Sequence, residues 1–230
     1  MSGTSGASGA WYKTEGNAWK VDTQTAAPSR GQGVPAAARR QVRAHQPRWD
    51  PSFDASINKG QLIGTVAAAW EAPLFISSAG GTGKGEWKVA QLPDWFGNGT
   101  KTGSDGGSGV AVLKGSKHPA EAMKFLDWFN TQVPDLVSQG LVVAATTEAA
   151  KTPAAWSEFF SNQDIMAEFK KANDNMASFS YIPGFSAVGA AMNETAAKAA
   201  TGDAKVSDIF DTAQKTSVEA LKNAKLSVKE

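Results

Sequence analysis

Apolar residues fall at helical spacing over several stretches of this chain. In PAEAMKFLDWFN, Ala122, Phe125, Leu126 and Phe129 form one stripe behind Pro119, which suits the first position of a helix. Glu121 lies in the first turn, where the helix dipole favours negative charge. Ile165, Met166, Phe169 and Ala172 make a second stripe after the polar start Ser161-Asn162. Two more helices are expected over Ala187–Ala200 and Val206–Ala224, parted by Thr201-Gly202-Asp203, and a short one over Pro51–Lys59. Other stretches carry the signature of strands. AWYKTEGNAWKVDT alternates as a hairpin turning at Glu15-Gly16-Asn17. Leu62–Trp70 (LIGTVAAAW) and Val110–Leu113 read as buried strands, and Trp87, Val89 and Gln91 as one face of a strand ended by Pro93. Gly80–Gly85 is a glycine-rich turn, and Asn98–Gly109 a loop or hinge. Short strands alternating with helices, without internal repeat, predict an α/β class.

Composition adds bounds. With 230 residues, 41% hydrophobic and 20% charged, the chain is an ordinary globular sequence, and its net charge of +1 gives no case for nucleic acid or an anionic membrane. No run approaches the roughly 20 apolar residues of a spanning helix. MSGTSGASGA is small and polar, which predicts no secretion signal. The absence of cysteine excludes disulfides, thiolate metal sites and a lipid-bearing Cys. Eight Trp against two Tyr is more indole than one core needs.

One segment departs from the rest. All Arg lie between Arg30 and Arg48, no Lys occurs between Lys20 and Lys59, and PSRGQGVPAAARRQVRAHQP is dominated by Pro, Ala, Arg and Gly. Residues 28–47 read either as a basic, disordered arm that binds phosphates or as GC-rich DNA translated in a shifted frame. The rest of the chain writes its positive charges as Lys, which favours the shifted frame.

Motifs for catalysis are thin. His45 and His118 have no partners at ligand or triad spacing, and no GxSxG elbow occurs. Gly80–Gly85 does not satisfy GxxxxGK[ST] and reads as a turn. The sequons at Asn98 and Asn193 are short enough to arise by chance. Two of the three carboxylates Asp50, Asp54 and Glu71 could pair for glycoside hydrolysis, with nothing in the sequence to fix their separation.

Taken together, GEWKVAQLPDW, the Gly/Ser loop after it, and DGGSGVAVLKGSKHPAEAMKFLDWFN resemble the extracellular solute-binding proteins of ABC importers, in the large carbohydrate-binding family. The resemblance covers about residues 10–27 and 48–230 and is strongest over Leu62–Asn130. It implies a periplasmic-binding-protein-like, type II, two-lobe α/β fold, of which this chain is the C-terminal portion. Residues 1–105 would belong to the second lobe, 106–150 to a strand-helix excursion into the first lobe, and 151–230 to a return to the second. The family has an amphipathic helix in place of 28–47. The implied function is non-catalytic capture of a mono- or oligosaccharide and delivery to ABC permease subunits by hinge closure. The protein would be monomeric and would need no cofactor, metal or nucleic acid. Intact members are extracellular and membrane-associated. The expectation here is a chain without signal peptide or lipid-anchor Cys, impaired in binding. The alternative is a carbohydrate-active enzyme or lectin-like module.

The resemblance also points to site residues. An indole or phenol covers the C–H face of a pyranose while polar groups take its hydroxyls. Trp70 matches a Trp that commonly stacks on sugar in the family, although packing would equally account for an indole there. Glu71 beside it would accept from hydroxyls or be solvated. Asp105-Gly106-Gly107-Ser108 stands where the family often has Trp-Gly-Gly-Ser. Asp105 therefore removes a stacking platform and offers a carboxylate, with Ser108 close by. Tyr181, in FSYIPGF, supplies both ring and hydroxyl, whereas Phe185 reads as core. Trp11, Trp19, Trp49 and Trp95 are candidate rim residues, and Trp128 and Trp156 read as packing.

Overall fold

The computed structural model describes residues 10–24, 48–93, 102–139, 141–144, 150–177 and 179–229. Segment 28–47 with His45, Trp95 and the sequon at Asn98 lie outside them. In chain order the elements are β1 (Tyr12–Glu15), β2 (Ala18–Val21), α1 (Pro51–Asn58), a 3-10 turn (Ala69–Glu71), α2 (Ala72–Ala79), β3 (Thr102–Gly103) and α3 (Pro119–Asn130). They continue with α4 (Val133–Ser138), α5 (Ala154–Phe159), α6 (Ile165–Asp174), β4 (Met176–Ala177), α7 (Phe185–Thr201), α8 (Val206–Asn223) and β5 (Val228–Lys229). Contacts divide the chain into two compact units: the first holds residues up to 45 with 93–104 and 175–230, the second 46–92 with 105–174.

In the first unit, Gly16, at φ 63°, turns the expected hairpin, with Tyr12 opposite Val21 and Glu15 opposite Ala18. β5 pairs in parallel with β2, giving a three-stranded sheet in the order β1-β2-β5. α7 and α8 fall where the apolar periodicity places them. Gly202 ends α7 in the left-handed conformation, and Asp208 accepts the Lys205 N–H at 2.8 Å at the start of α8. Ala213, Ser217 and Leu221, four residues apart on α8, are buried with Val188 of α7, Ile182 and the hairpin residues Trp11, Tyr12 and Val21. Trp11 is thus a core residue (2% exposed) and not a rim one: the hairpin's inward face carries it. Side chains stitch the hairpin to α8. Gln214 accepts from the Thr23 N–H at 2.9 Å and donates to the Val21 carbonyl at 3.0 Å, and Thr23 Oγ1 donates to the Phe210 carbonyl at 2.9 Å.

Tyr12 gives this packing a pH signature. Its hydroxyl lies 2.8 Å from Ser217 Oγ, and burial pushes the phenol above its ordinary value, partly offset by that hydrogen bond. A raised folded-state pKa favours the fold fully below about pH 10 and is lost as pH rises through the folded value. Thermal unfolding followed from pH 7 to 11 should therefore show a steeper alkaline loss for the wild type than for Tyr12→Phe. At pH 7 the variant should cost about 1 kcal/mol, because Ser217 loses its partner. Equal alkaline slopes would exclude Tyr12 as the cause.

The second unit is helical. Phe53 and Ile57 of α1, Phe75 and Ala79 of α2, Val133 and Val137 of α4, Trp156 and Phe159 of α5, and Ile165 and Met166 of α6 form its core. Trp156 packs as expected. Asp50 caps α1 by accepting the Ser52 N–H at 2.9 Å, and Gly80, left-handed, ends α2. Among its described residues this unit contains no strand. Three expected strands are corrected accordingly. The residues around Trp87 keep the expected inward face but not a ladder. Trp87 packs edge-on against Phe75 at 4.6 Å, while the Gln163 side-chain amide substitutes for a neighbouring strand. It accepts from the Val89 N–H at 2.8 Å and donates to the Val89 carbonyl at 2.9 Å. Leu62–Trp70 is irregular before its closing 3-10 turn, with Ile63 96% exposed, and Val110–Leu113 is irregular with Leu113 80% exposed. An apolar run becomes a buried strand only when neighbours pair with it, and these two have none among the described residues. α3 forms over the expected residues, yet none of them is buried: Trp128 is exposed, its ring 5.8 Å from that of Phe125 on the same helix.

Candidate functional site

Trp70 sits in the 3-10 turn that joins the irregular run 62–68 to α2, and it is 40% exposed. Its indole N–H donates to the Asp105 carbonyl at 3.0 Å. Gly106, at φ 102°, lets the backbone come this close: a Cβ there would lie 3.3 Å from Trp70 Nε1. The DGGS sequence thus positions Trp70 through main chain, with both glycines at positive φ. The indole edge is tied down while a large part of the ring remains open to solvent. This combination is an immobilised aromatic platform.

Glu71 supports the platform from below. Only 3% exposed, it accepts from Arg48 Nη1 through both carboxylate oxygens, at 2.6 Å for Oε1, and from the Ala68 N–H at 3.3 Å. Arg48 also donates to Thr65 Oγ1 at 3.2 Å. One carboxylate therefore ties Arg48, the 62–68 run and the turn bearing Trp70 together. Sequence reasoning singled out Glu71 but not Arg48, which stands at the edge of the anomalous basic segment. Asp105 and Ser108 are exposed, and the contact that Asp105 makes with Trp70 is through its backbone.

Tyr181 belongs to the first unit. It is 48% exposed, its hydroxyl donates to Ser104 Oγ at 3.4 Å, and its ring meets Phe179 and Phe185 edge-on at 4.9 and 5.1 Å. Those rings join Tyr12 and Trp11 in one aromatic cluster, of which Tyr181 is the open end. Trp19 is half-buried beside that core, and Trp49 packs against Phe53 at 5.5 Å.

The candidate hydrolytic carboxylates are occupied differently. Hydrogen bonds from Ser52, its backbone N–H first, hold the Asp50 carboxyl below the ordinary carboxylate range. A general acid for glycosides needs the opposite shift. Glu71 is paired to Arg48, and Asp54 Oδ1 is buried without a hydrogen-bond partner among the described residues. Among those residues no group of His, Asp and Glu is arranged to hold a metal, and no helix is long and apolar enough to cross a membrane.

No protein-family model and no curated protein sequence matches the chain. Solved structures do. One is the galacto-N-biose-/lacto-N-biose I-binding protein of the ABC transporter from Bifidobacterium longum, in complex with lacto-N-biose. It is 63% identical over 99% of this chain, with a TM-score of 0.87. Another, the ABC transporter associated binding protein from B. animalis subsp. lactis Bl-04 in complex with beta-1,6-galactobiose, is 19% identical over the whole chain with a TM-score of 0.73, a likeness of fold. The chain spans 57% of the first protein and 60% of the second, under two-thirds of either.

Proposed function

We infer, from the premise that this chain belongs to the sugar-binding proteins of ABC transporters and carries part of their α/β fold, that it serves in capturing a carbohydrate for an importer. The observation that carries the reading is the 63% identity over 99% of the chain to a protein solved with lacto-N-biose. A disaccharide of that kind is the ligand we put first. Trp70 is its stacking platform, held at its edge by the Asp105 carbonyl so that no ordering cost remains to be met on binding. Glu71 acts through Arg48 to position that platform and does not receive sugar hydroxyls itself. Asp105 and Ser108, exposed on the bend whose Asp105 carbonyl meets the indole, are the polar contacts. The sugar would be delivered to permease subunits in the membrane.

The chain spans only part of the relative's length, so it holds only part of the contact surface a sugar needs, and affinity depends on how much of the ligand is enclosed. Isothermal titration with lacto-N-biose should give no measurable heat for this chain alone at millimolar sugar. The chain combined with the part of the Bifidobacterium longum protein it does not span should bind at least about 100-fold more tightly. Failure of the combined protein to bind any of a panel of mono- and disaccharides would overturn the reading. Release of monosaccharide from the titrated disaccharide would turn it towards an enzyme.

A further inference from the structure

The sheet of the first unit carries a row of like charges on its outer face. Register places Lys13 of β1 opposite Lys20 of β2, and Lys20 opposite Lys229 of β5. Tyr12, Trp19, Val21 and Val228 belong to the core, so the alternation of a strand turns Lys13, Glu15, Ala18, Lys20 and Lys229 outwards. The lysines therefore stand side by side across every strand of the sheet, over about 10 Å at ordinary strand spacing. Glu15 is the carboxylate they share: Lys229 Nζ donates to it at 2.9 Å, and Lys20 Nζ lies 4.0 Å away. The hydrogen bond from Lys229, then the charges of Lys229, Lys20 and Lys13, hold the Glu15 carboxyl below its ordinary value. The net charge of +1 is a sum over the chain that conceals this local excess.

Like charges directly opposite one another destabilise a sheet. Lysine on an edge strand discourages pairing with another chain, which accounts for Lys13 and Lys229, because the order β1-β2-β5 makes their strands the edges. It does not account for Lys20, on the central strand. We propose that this row is a docking face for an anionic lipid surface, setting the first unit against the phosphate headgroups of the membrane that holds the permease. Two observations select lipid over an acidic protein. The cations are all Lys, compact point charges without the planar fork by which Arg fixes the carboxylates of a folded partner, and so suited to headgroups that move laterally. The outward positions also hold no aromatic or large apolar side chain, so the face lacks the anchors found at the centre of protein–protein interfaces. Lys20 and Lys229, 51% and 59% exposed, reach such a surface without rearrangement.

Only the choice of membrane rests on the importer reading, and docking is measured without sugar, so the two fail separately. The full chain is sedimented with vesicles of phosphatidylglycerol mixed with phosphatidylcholine, and with vesicles of phosphatidylcholine alone. Binding is expected on the anionic vesicles only, at about 10 mM salt, where charges act over about 30 Å, and not at about 1 M, where they act over about 3 Å. Lys13→Gln, Lys20→Gln and Lys229→Gln should each weaken it about 5-fold, and Glu15→Gln should strengthen it by a similar factor. Lys20→Gln should at the same time leave Tm unchanged or raise it, because like charges are relieved, whereas a merely structural lysine would lower it. The Arg-rich stretch 28–47 would attract the same lipid, so the variants assign the binding to the sheet. Binding that is indifferent to the triple Lys→Gln variant and to Glu15→Gln would overturn the proposal. So would failure to sediment with anionic vesicles at low salt. Retention on immobilised polyglutamate by a chain that ignores vesicles would also overturn it, in favour of an acidic protein surface.

Discussion

Trp70→Ala is expected to lower the affinity of the combined protein for lacto-N-biose about 30-fold, a loss of about 2 kcal/mol typical of removing a central indole. The effect follows from how the ring is held. Its N–H is already bonded to the Asp105 carbonyl at 3.0 Å, and Gly106 seats the main chain against its edge, so the ring is ordered before any ligand arrives. Trp70→Phe separates the two ingredients, keeping an aromatic face but abandoning the hydrogen bond. An intermediate loss, about 5-fold, is the expected result. Because the side chain is 40% exposed, truncation should cost only about 1 kcal/mol of stability, and circular dichroism should be unaltered. Isothermal titration of both variants checks this. Unchanged affinity in Trp70→Ala would remove Trp70 from the site and leave it a packing residue.

Which parts of this picture could be read from the chain depended on whether the signal was local. The hairpin at Gly16, the proline start of α3 and the glycine stop of α7 are local devices, and each element stands where its residues put it. The core stripes of α6 and α8 were equally legible, because helical spacing names the buried face without reference to a partner. Strands were not. LIGTVAAAW and GVAVL are strand-like only in the company of other strands, and their exposure here expresses the absence of that company. Around Val89 the missing neighbour is the Gln163 amide, 74 residues away, a substitution that no pattern of apolar positions encodes.

The candidate site divides in the same way. Trp70 and the Asp105-Gly106-Gly107-Ser108 bend were identified from adjacent sequence, and the structure joins them in one contact. The hidden part was Arg48, 23 residues before Glu71 and flanked by a segment whose composition draws attention to its own anomaly. A buried carboxylate demands a cation, and Glu71 directly beside Trp70 was the one signal from which that partner could have been sought. Trp11 failed for a simpler reason. A hairpin's two faces look alike in sequence, and the inward one is chosen by α8, almost two hundred residues on.

Arg48→Met should therefore produce the largest loss of stability of any substitution near the site, about 3 kcal/mol or roughly 10 °C in Tm. The carboxylate of Glu71, 4% exposed, would remain in place without its guanidinium partner, and a buried unpaired charge is far costlier than the pair is favourable. The estimate is at the low end for such pairs because Arg48, 34% exposed, is itself incompletely desolvated. Glu71→Gln alone should cost less, about 1 to 2 kcal/mol, since the amide oxygen can still accept the Ala68 N–H and Arg48 can turn to water. The decisive measurement is the double-mutant cycle. Arg48→Met with Glu71→Gln should recover at least half of the loss caused by Arg48→Met, because no buried charge is then stranded. Urea unfolding of the four proteins gives the coupling directly. Additive losses would mean that Arg48 and Glu71 act independently, and the positioning role assigned to Glu71 beneath Trp70 would fall with them.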